Sequence, residues 1–438
     1  MVDNNRENVI FARVQCVSRG PSKLGRKNKG RNIIQAVKPD LPAIAGGEPI
    51  RPADRFIIFG APVIGPPEID AVVDCMRRRW IGSGPKVHEF EEKFARYKNI
   101  PHAVAMNSGT ASIHIALLAL GIGPGDEVIT TPMTFCATVN AVIHTGATPV
   151  LVDCRRDSFN IDPAQIEAKI SPRTRAILVV HMCGRCCDMD AILAISRQHG
   201  LFVVEDCAHA VESLYHSVPA GTLGDIGCFS FYATKNITTA EGGMLITRDA
   251  EVAKKARYLS NHGLSLDAWH RFGPRAGQHY DVVAAGFKYN MPDITAAIGI
   301  AQMDRLEAHA ADRQRIWRLY HEKLIDLPCH LPMEPEPDTR HAYHLMTILL
   351  DLEKLKVGRA DIGAAIRSEG VGVGVHYQAV HTYSYYAKRF GIQPEGYPNA
   401  NDIGKRTLSL PLAADLTDAD VDDICRAVSR VLRYYLKN

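Results

Sequence analysis

The sequence predicts an α/β protein: a large, mostly parallel β-sheet wrapped in helices, followed by a smaller C-terminal α+β domain. Two observations carry that expectation. From Glu68 onward, short β-branched apolar runs alternate with amphipathic stretches of helical period. Continuous apolar strands separated by helices mark a parallel sheet buried on both faces. Toward the C-terminus the order changes to a long helix, a strand and two further helices. A chain of 438 residues is also too long for one simple core.

The first stretch stands apart. Ten Lys/Arg against five Asp/Glu between Met1 and Asp54 leave this end near +5. SRGPSKLGRKNKGRN has no apolar period, so residues 1–40 read as a basic, disordered arm. EIDAVVDCMRRRW and VHEFEEKFARY follow as amphipathic helices, and SIHIALLAL is a helix opened by the small residues SGT. EVITTP, TPVLVD, AILVVH and LFVVED read as strands, separated by the helix-like FCATVNAVIHTG, PAQIEAKI and MDAILAISRQHG. CFSFYA and GGMLIT add two more strands. One long helix is expected from Asp293 through HEKL, bridging a large domain at 41–304 and a small one at 305–438. In the latter, AYHLMTILLD reads as a strand, RADIGAAIRSEG as a helix and DADVDDICRAVSRVLRYYL as a terminal helix.

Composition excludes several classes. Hydrophobic residues make up 46% and charged residues 23% of the chain, as in ordinary globular proteins. A formal charge of +3 does not argue for nucleic acid as a partner. No apolar run approaches the roughly 20 residues of a membrane helix, and the N-terminus lacks the apolar core of a secretory signal. A cytoplasmic location is expected. Eleven cysteines without a regular framework fit free thiols in a reducing compartment. Cys183, Cys186 and Cys187 have CxxC spacing, but no second ligand pair at matching spacing accompanies them, so no metal is expected.

Four features fall at strand ends or on the loops after them, where α/β sheets bind ligands. Small residues in NSGTAS, Asn107 to Ser112, precede a helix and suit a phosphate at its N-terminus. Asp206 ends the strand of VVEDCAHA, with His209 three residues on; a carboxylate there suits a cationic ring nitrogen. Lys235 lies in CFSFYATKNITTAEGG, between two strands, five residues after Ser230. A partly desolvated lysine has a lowered pKa and can form a Schiff base. Phe135 in TPMTFCAT is placed to stack on a flat ring. Alone, each has an ordinary explanation: a helix cap, a magnesium ligand, a surface lysine, a core phenylalanine. Their order persuades, because a pyridine ring bearing a phosphate and an aldehyde needs this set. Pyridoxal 5'-phosphate (PLP) is the cofactor expected.

Those motifs, with WIGSGPKVHEFEEKF, GATPVLVD, GFKYNMPDITAAIGIAQ, VGVHYQAVHTYSYY and LSLPL, resemble the DegT/DnrJ/StrS-type sugar aminotransferases from about Leu41 to Asn438. The resemblance implies the aspartate-aminotransferase fold, the type I fold of PLP-dependent transferases. It implies transfer of an amino group, from glutamate, to a nucleotide-linked keto-sugar. AxKNIT-AEGG, GFKYNM and VHYQAVHT are most similar to enzymes that aminate UDP-4-keto-pentoses for lipid A modification.

Carried over by position, the resemblance makes Lys235 the residue bonded to the cofactor aldehyde. Asp206 becomes the partner of its ring nitrogen, and His209 a neighbour of its phenolic oxygen. Phe135 takes the stacking position, often a tryptophan in relatives. Gly109, Thr110 and Ser230 would bind the phosphate, with Asn290 or Lys288 of GFKYNM reaching it from the partner subunit of a homodimer. His376 and Tyr377 match a segment near the sugar. A dehydratase of the same fold, which carries histidine in place of the lysine, and a cyclitol aminotransferase are rival readings. A PLP-binding regulator needs a separate DNA-binding domain, for which residues 1–40 are too short and polar.

Overall fold

The computed structural model describes residues 40–265, 280–391 and 393–437. The basic arm, apart from Asp40, therefore lies outside the described residues. Seven strands form the main sheet: β1 (His102–Met106), β2 (Glu127–Thr130), β3 (Thr148–Leu151), β4 (Thr174–Val180), β5 (Phe202–Asp206), β8 (Ile226–Ser230) and β9 (Gly243–Thr247). Their order is β1-β9-β8-β5-β4-β2-β3. Only β9 runs against its neighbours; the others are mutually parallel wherever they pair. Two short strands, β6 (Leu214–Tyr215) and β7 (Val218–Pro219), form a small hairpin beside the sheet.

Helices cover both faces, as continuous apolar strands require. Ile113, Ile115 and Leu117 of the helix Gly109–Ala119 pack over Val128, Leu178 and Val204 on one face. On the other, Phe90 and Phe94 of the helix Pro85–Lys98 meet Phe229 and Phe231, with ring centroids 4.9 to 5.5 Å apart across strand and helix. Asp293 ties two helices together. It opens the helix Asp293–Met303, and its carboxylate accepts from the Lys86 and Val87 amides at 3.1 Å each, satisfying donors that a helix start leaves bare.

The long helix expected from Asp293 is two helices, Asp293–Met303 and Leu306–Leu324. Arg305 leaves helical geometry (φ −109°, ψ 0°), and its guanidinium pairs with the buried Glu68. PAQIEAKI is likewise two single 3₁₀ turns rather than a helix.

The C-terminal sheet, β10 (Cys329–His330), β11 (Met346–Leu350) and β12 (Thr407–Leu410), is antiparallel. Its core gathers Ile348, Ile362, Val371, Leu408, Ile424 and Val428 around the helices Arg359–Ser368 and Asp418–Tyr434. A remote segment joins it. Ile57 is buried in this core, its carbonyl accepts from Gly372 at 2.8 Å, and Arg51 pairs with Asp420 at 2.6 Å and Asp423 at 3.2 Å. Residues before the first long helix, Pro66–Arg78, thus run along the C-terminal layer and bring Phe59 to the site.

Candidate active site

The carboxyl ends of β5 and β8 and the start of the helix Gly109–Ala119 open into a cavity of about 430 Å³. Gly109, Thr110, Phe135, Asp206, His209, Ser230, Lys235, His376 and Tyr377 all line it.

One corner is built from small residues. Ser108 caps the helix, its Oγ accepting from the Ala111 amide at 3.1 Å. Gly109 lies against Ser230: a Cβ at 109 would sit 2.7 Å from Ser230 Cβ and 3.2 Å from its Oγ. Only glycine lets these two segments converge. Together they present a hydroxyl and a helix N-terminus to the same space, the arrangement that binds an anion.

Asp206 faces the cavity from deep in the protein, 5% exposed. Its carboxylate accepts from Thr138 Oγ1 at 2.8 Å and the Ala208 amide at 3.1 Å. Burial raises its pKa, while Thr138, Ala208 and the Lys235 charge oppose the rise. Thr138 donates to Asp206, so it accepts from Thr134 Oγ1, 2.7 Å away. This leaves a carboxylate short of countercharge, suited to a cationic guest.

Lys235 reaches into the cavity from the loop between β8 and β9. Burial lowers its pKa to about 8, with Asp206 and Cys183 pulling the other way. The residue is half-buried and lines the cavity. The next residue is clamped: Asn236 Nδ2 donates to Glu212 at 2.8 Å and the Ala342 carbonyl at 2.9 Å, and Oδ1 faces His344 Nδ1 at 2.8 Å. Glu212 is in turn held by buried Arg313.

The remaining wall is aromatic. Phe135 is 56% exposed, an unusual position for phenylalanine, with its ring 5.7 Å from that of Tyr377. His376 stacks on Phe59 at 5.3 Å and bonds Ser409 Oγ at 2.9 Å; burial lowers its pKa to about 4. The His209 ring lies 4.3 Å from that of His344, tilted by 32°.

Lys288 and Asn290 do not join this group. They line a second cavity with Asn107, Arg257 and Asn261, on the far side of β1 from Lys235. His344, Asn236, Thr138 and Phe59 also belong to the site or its support; Thr138 and Asn236 lie within TPMTFCAT and CFSFYATKNITTAEGG, but nothing in those motifs distinguishes them from their neighbours.

The cysteine cluster is structural in geometry. Burial raises the pKa of Cys186 to about 12 and holds that of Cys187 well above the usual thiol value. His181, Glu205 and Cys207 lie close enough to hold a cation, yet the donor atoms of His181 and Glu205 are already engaged. Glu205 accepts from the Gly221, Leu223 and Gly224 amides and pairs with His181 Nε2 at 2.8 Å, and His181 Nδ1 accepts from the Cys187 amide.

The chain is similar to known proteins over most of its length. Residues 62–429 match the DegT/DnrJ/EryC1/StrS aminotransferase family. The chain is 45% identical over 385 residues to the spore coat polysaccharide biosynthesis protein SpsC of Bacillus subtilis, covering 88% of this chain and 99% of that protein. It superposes on the putative sugar aminotransferase Spr1654 of Streptococcus pneumoniae, in its PMP form, with a TM-score of 0.81 and 32% identity, over 86% of this chain and 99% of the other. Helicobacter pylori PseC, an aminotransferase involved in pseudoaminic acid biosynthesis, gives 0.80 and 26% over 87% and 100%. The chain belongs to the DegT/DnrJ/EryC1/StrS aminotransferase family, which is PLP-dependent and built on the type I fold.

Proposed function

We propose that this enzyme transfers an amino group from glutamate to a keto-sugar carried on a nucleotide, working as a cytoplasmic homodimer with shared active sites. One observation carries the reading: a lysine amine, a strand-end carboxylate and a serine–glycine anion corner open into one cavity. These residues fit PLP. The corner at Gly109 and Ser230 suits its phosphate, Asp206 its ring nitrogen and Lys235 its aldehyde. When bound, the cofactor supplies an electron sink for the substrate carbon.

The chain's own residues do the rest. Lys235 anchors the aldehyde and, once free, moves the proton at the substrate carbon as base and acid. Asp206 keeps a proton on the ring nitrogen. Thr110 and Ser230 hold phosphate, Phe135 packs on the ring, and His209 lies beside it. His376 and Tyr377 face the sugar. Ten free cysteines among the described residues support a reducing cytoplasm. The similarity to Spr1654, a putative sugar aminotransferase, to PseC of pseudoaminic acid biosynthesis and to SpsC of spore coat polysaccharide biosynthesis supports the substrate class. The purified enzyme should aminate at least one nucleotide keto-sugar, UDP-4-keto-pentoses included, with glutamate consumed in equal amount. A screen in which none is aminated would refute the reading.

Gly109→Ala should weaken cofactor retention. The new Cβ must displace Ser230, and overpacking of this kind costs about 1–3 kcal/mol. Cofactor affinity measured by absorbance titration should fall roughly 5- to 150-fold. Unchanged affinity would remove the phosphate from this corner.

The dimer is supported by exposed Ile58, Ile69, Met76 and Ile81 and by the separation of Lys288 and Asn290 from Lys235. Mixing Lys235→Ala chains with Asn290→Ala/Lys288→Ala chains should restore activity in hybrid dimers, because each hybrid assembles one site with both elements intact. Hybrids that form but gain nothing over the inactive parents would rule out sharing.

A further inference from the structure

His209 and Tyr377 are joined by a bond whose polarity the backbone decides. The Cys183 amide donates to His209 Nδ1 at 3.3 Å, and His209 Nε2 lies 3.2 Å from Tyr377 Oη. An amide N–H can only donate, so Nδ1 must carry the lone pair and the proton of the neutral ring must sit on Nε2. Tyr377 oxygen then accepts from Nε2–H. Among the described residues it has no other hydrogen-bond partner. Its own hydroxyl proton is left to point into the cavity that it lines.

The turn that makes this bond is packed in place. Cys183 sits at φ +59°, a region disfavoured for residues other than glycine, and Gly184 follows at φ +97°. A Cβ at Gly184 would lie 2.9 Å from both Ala342 Cβ and the His209 carbonyl. The Gly184 carbonyl accepts from Ser213 Oγ at 2.7 Å and the Ala342 amide at 3.0 Å. On its other face His209 is held by the His344 ring, itself fixed through Asn236. The groups that bear on the charge of His209 are Lys235, His344 and His376, and all three disfavour an imidazolium, as does burial.

We propose that Tyr377 is the hydrogen-bond donor that polarises the substrate's keto oxygen, and that the Cys183 amide and His209 are positioning groups that lock it in that role. The inference rests on the reading that the amino acceptor is a ketone, and it gives that ketone a specific partner. His209 acts here as a fixed donor and not as a titrating base. Preorganised donors aimed at a carbonyl oxygen are worth most where water is excluded from the reacting atoms.

Two measurements test it. The first needs no cofactor: nitrogen NMR of histidine-labelled protein should show His209 protonated on Nε2 alone, without titration between about pH 5 and 8. A proton on Nδ1, or titration in that range, would overturn the lock. The second uses the holoenzyme, with the keto-sugar half-reaction followed separately. Tyr377→Phe should lose roughly 10²–10³ in its rate, more than in the glutamate half-reaction. His209→Leu should lose nearly as much, and the double variant little more, because the two act as one unit. His209→Gln should recover most of that loss with a flat pH profile, since its amide can accept from Cys183 and donate to Tyr377. A Gln variant as slow as Leu despite a preserved fold, or a fully active Tyr377→Phe, would refute the proposal. A wild-type enzyme that aminates no ketone would instead sink the function reading, leaving the NMR result to decide the lock.

Discussion

Lys235→Ala should produce the largest loss of any single substitution, with kcat down by about 10⁴ or more. That is the upper end of what a positioned acid–base contributes, before the lost covalent anchor is counted. Borohydride should no longer fix cofactor to the chain, whereas it should do so in the wild type. Retention of fixed cofactor in the variant would move the anchoring amine elsewhere. The wild-type lysine makes a second, graded prediction. Its pKa is lowered to about 8 from the usual 10.5, so the cofactor-free protein should capture an aromatic aldehyde at a rate that rises through pH 8 and then levels. The sign for stability follows. Because the folded chain binds fewer protons than the unfolded one between these values, this group's contribution improves as pH climbs from about 8 to 10.5. A capture rate that keeps climbing to pH 10 would place Lys235 in water.

The local pattern around Lys235 made it legible: an apolar strand, a Ser/Thr-rich loop, then glycines before another strand. Asp206 was legible for a similar reason, as the first charge at a strand end that faces the cavity. Glu205 beside it shows the limit of such reading, since alternation along β5 turns it toward His181 and three backbone amides instead. His344 could not be picked out, because HAYHLM offers two histidines beside a strand and only tertiary packing sets one against His209. The break at Arg305 was hidden too. No glycine or proline marks it, and the residue there pairs with Glu68, more than two hundred positions away. Phe59 and Ile57 reach the site and the C-terminal core by the same kind of long-range contact. Direction along β9 was equally silent, since a fully buried strand looks alike in either sense.

Asp206→Asn should slow turnover while leaving the cofactor anchored. The substitution is nearly isosteric, and asparagine Oδ1 still accepts from the Ala208 amide or Thr138 Oγ1, so the fold should persist. What disappears is the negative charge. In the wild type, burial raises the Asp206 pKa, and a protonated ring nitrogen opposite would supply the missing countercharge and hold the carboxylate ionised. Without that carboxylate the nitrogen loses its proton more readily and the ring accepts electrons less well. Breaking a buried charge pair costs about 3–5 kcal/mol. If most of it is felt in the transition state, kcat should fall roughly 10²–10⁴-fold in both half-reactions. A second readout needs no turnover. The Asp206 charge raises the Lys235 pKa against the effect of burial, so Asp206→Asn should move the aldehyde-capture profile of the cofactor-free protein to lower pH. If Asp206 served only to organise the start of the loop after β5, asparagine would replace it almost silently, because it caps as well as aspartate. Near-normal turnover with an unmoved capture profile would therefore remove Asp206 from the ring nitrogen and leave it a structural residue.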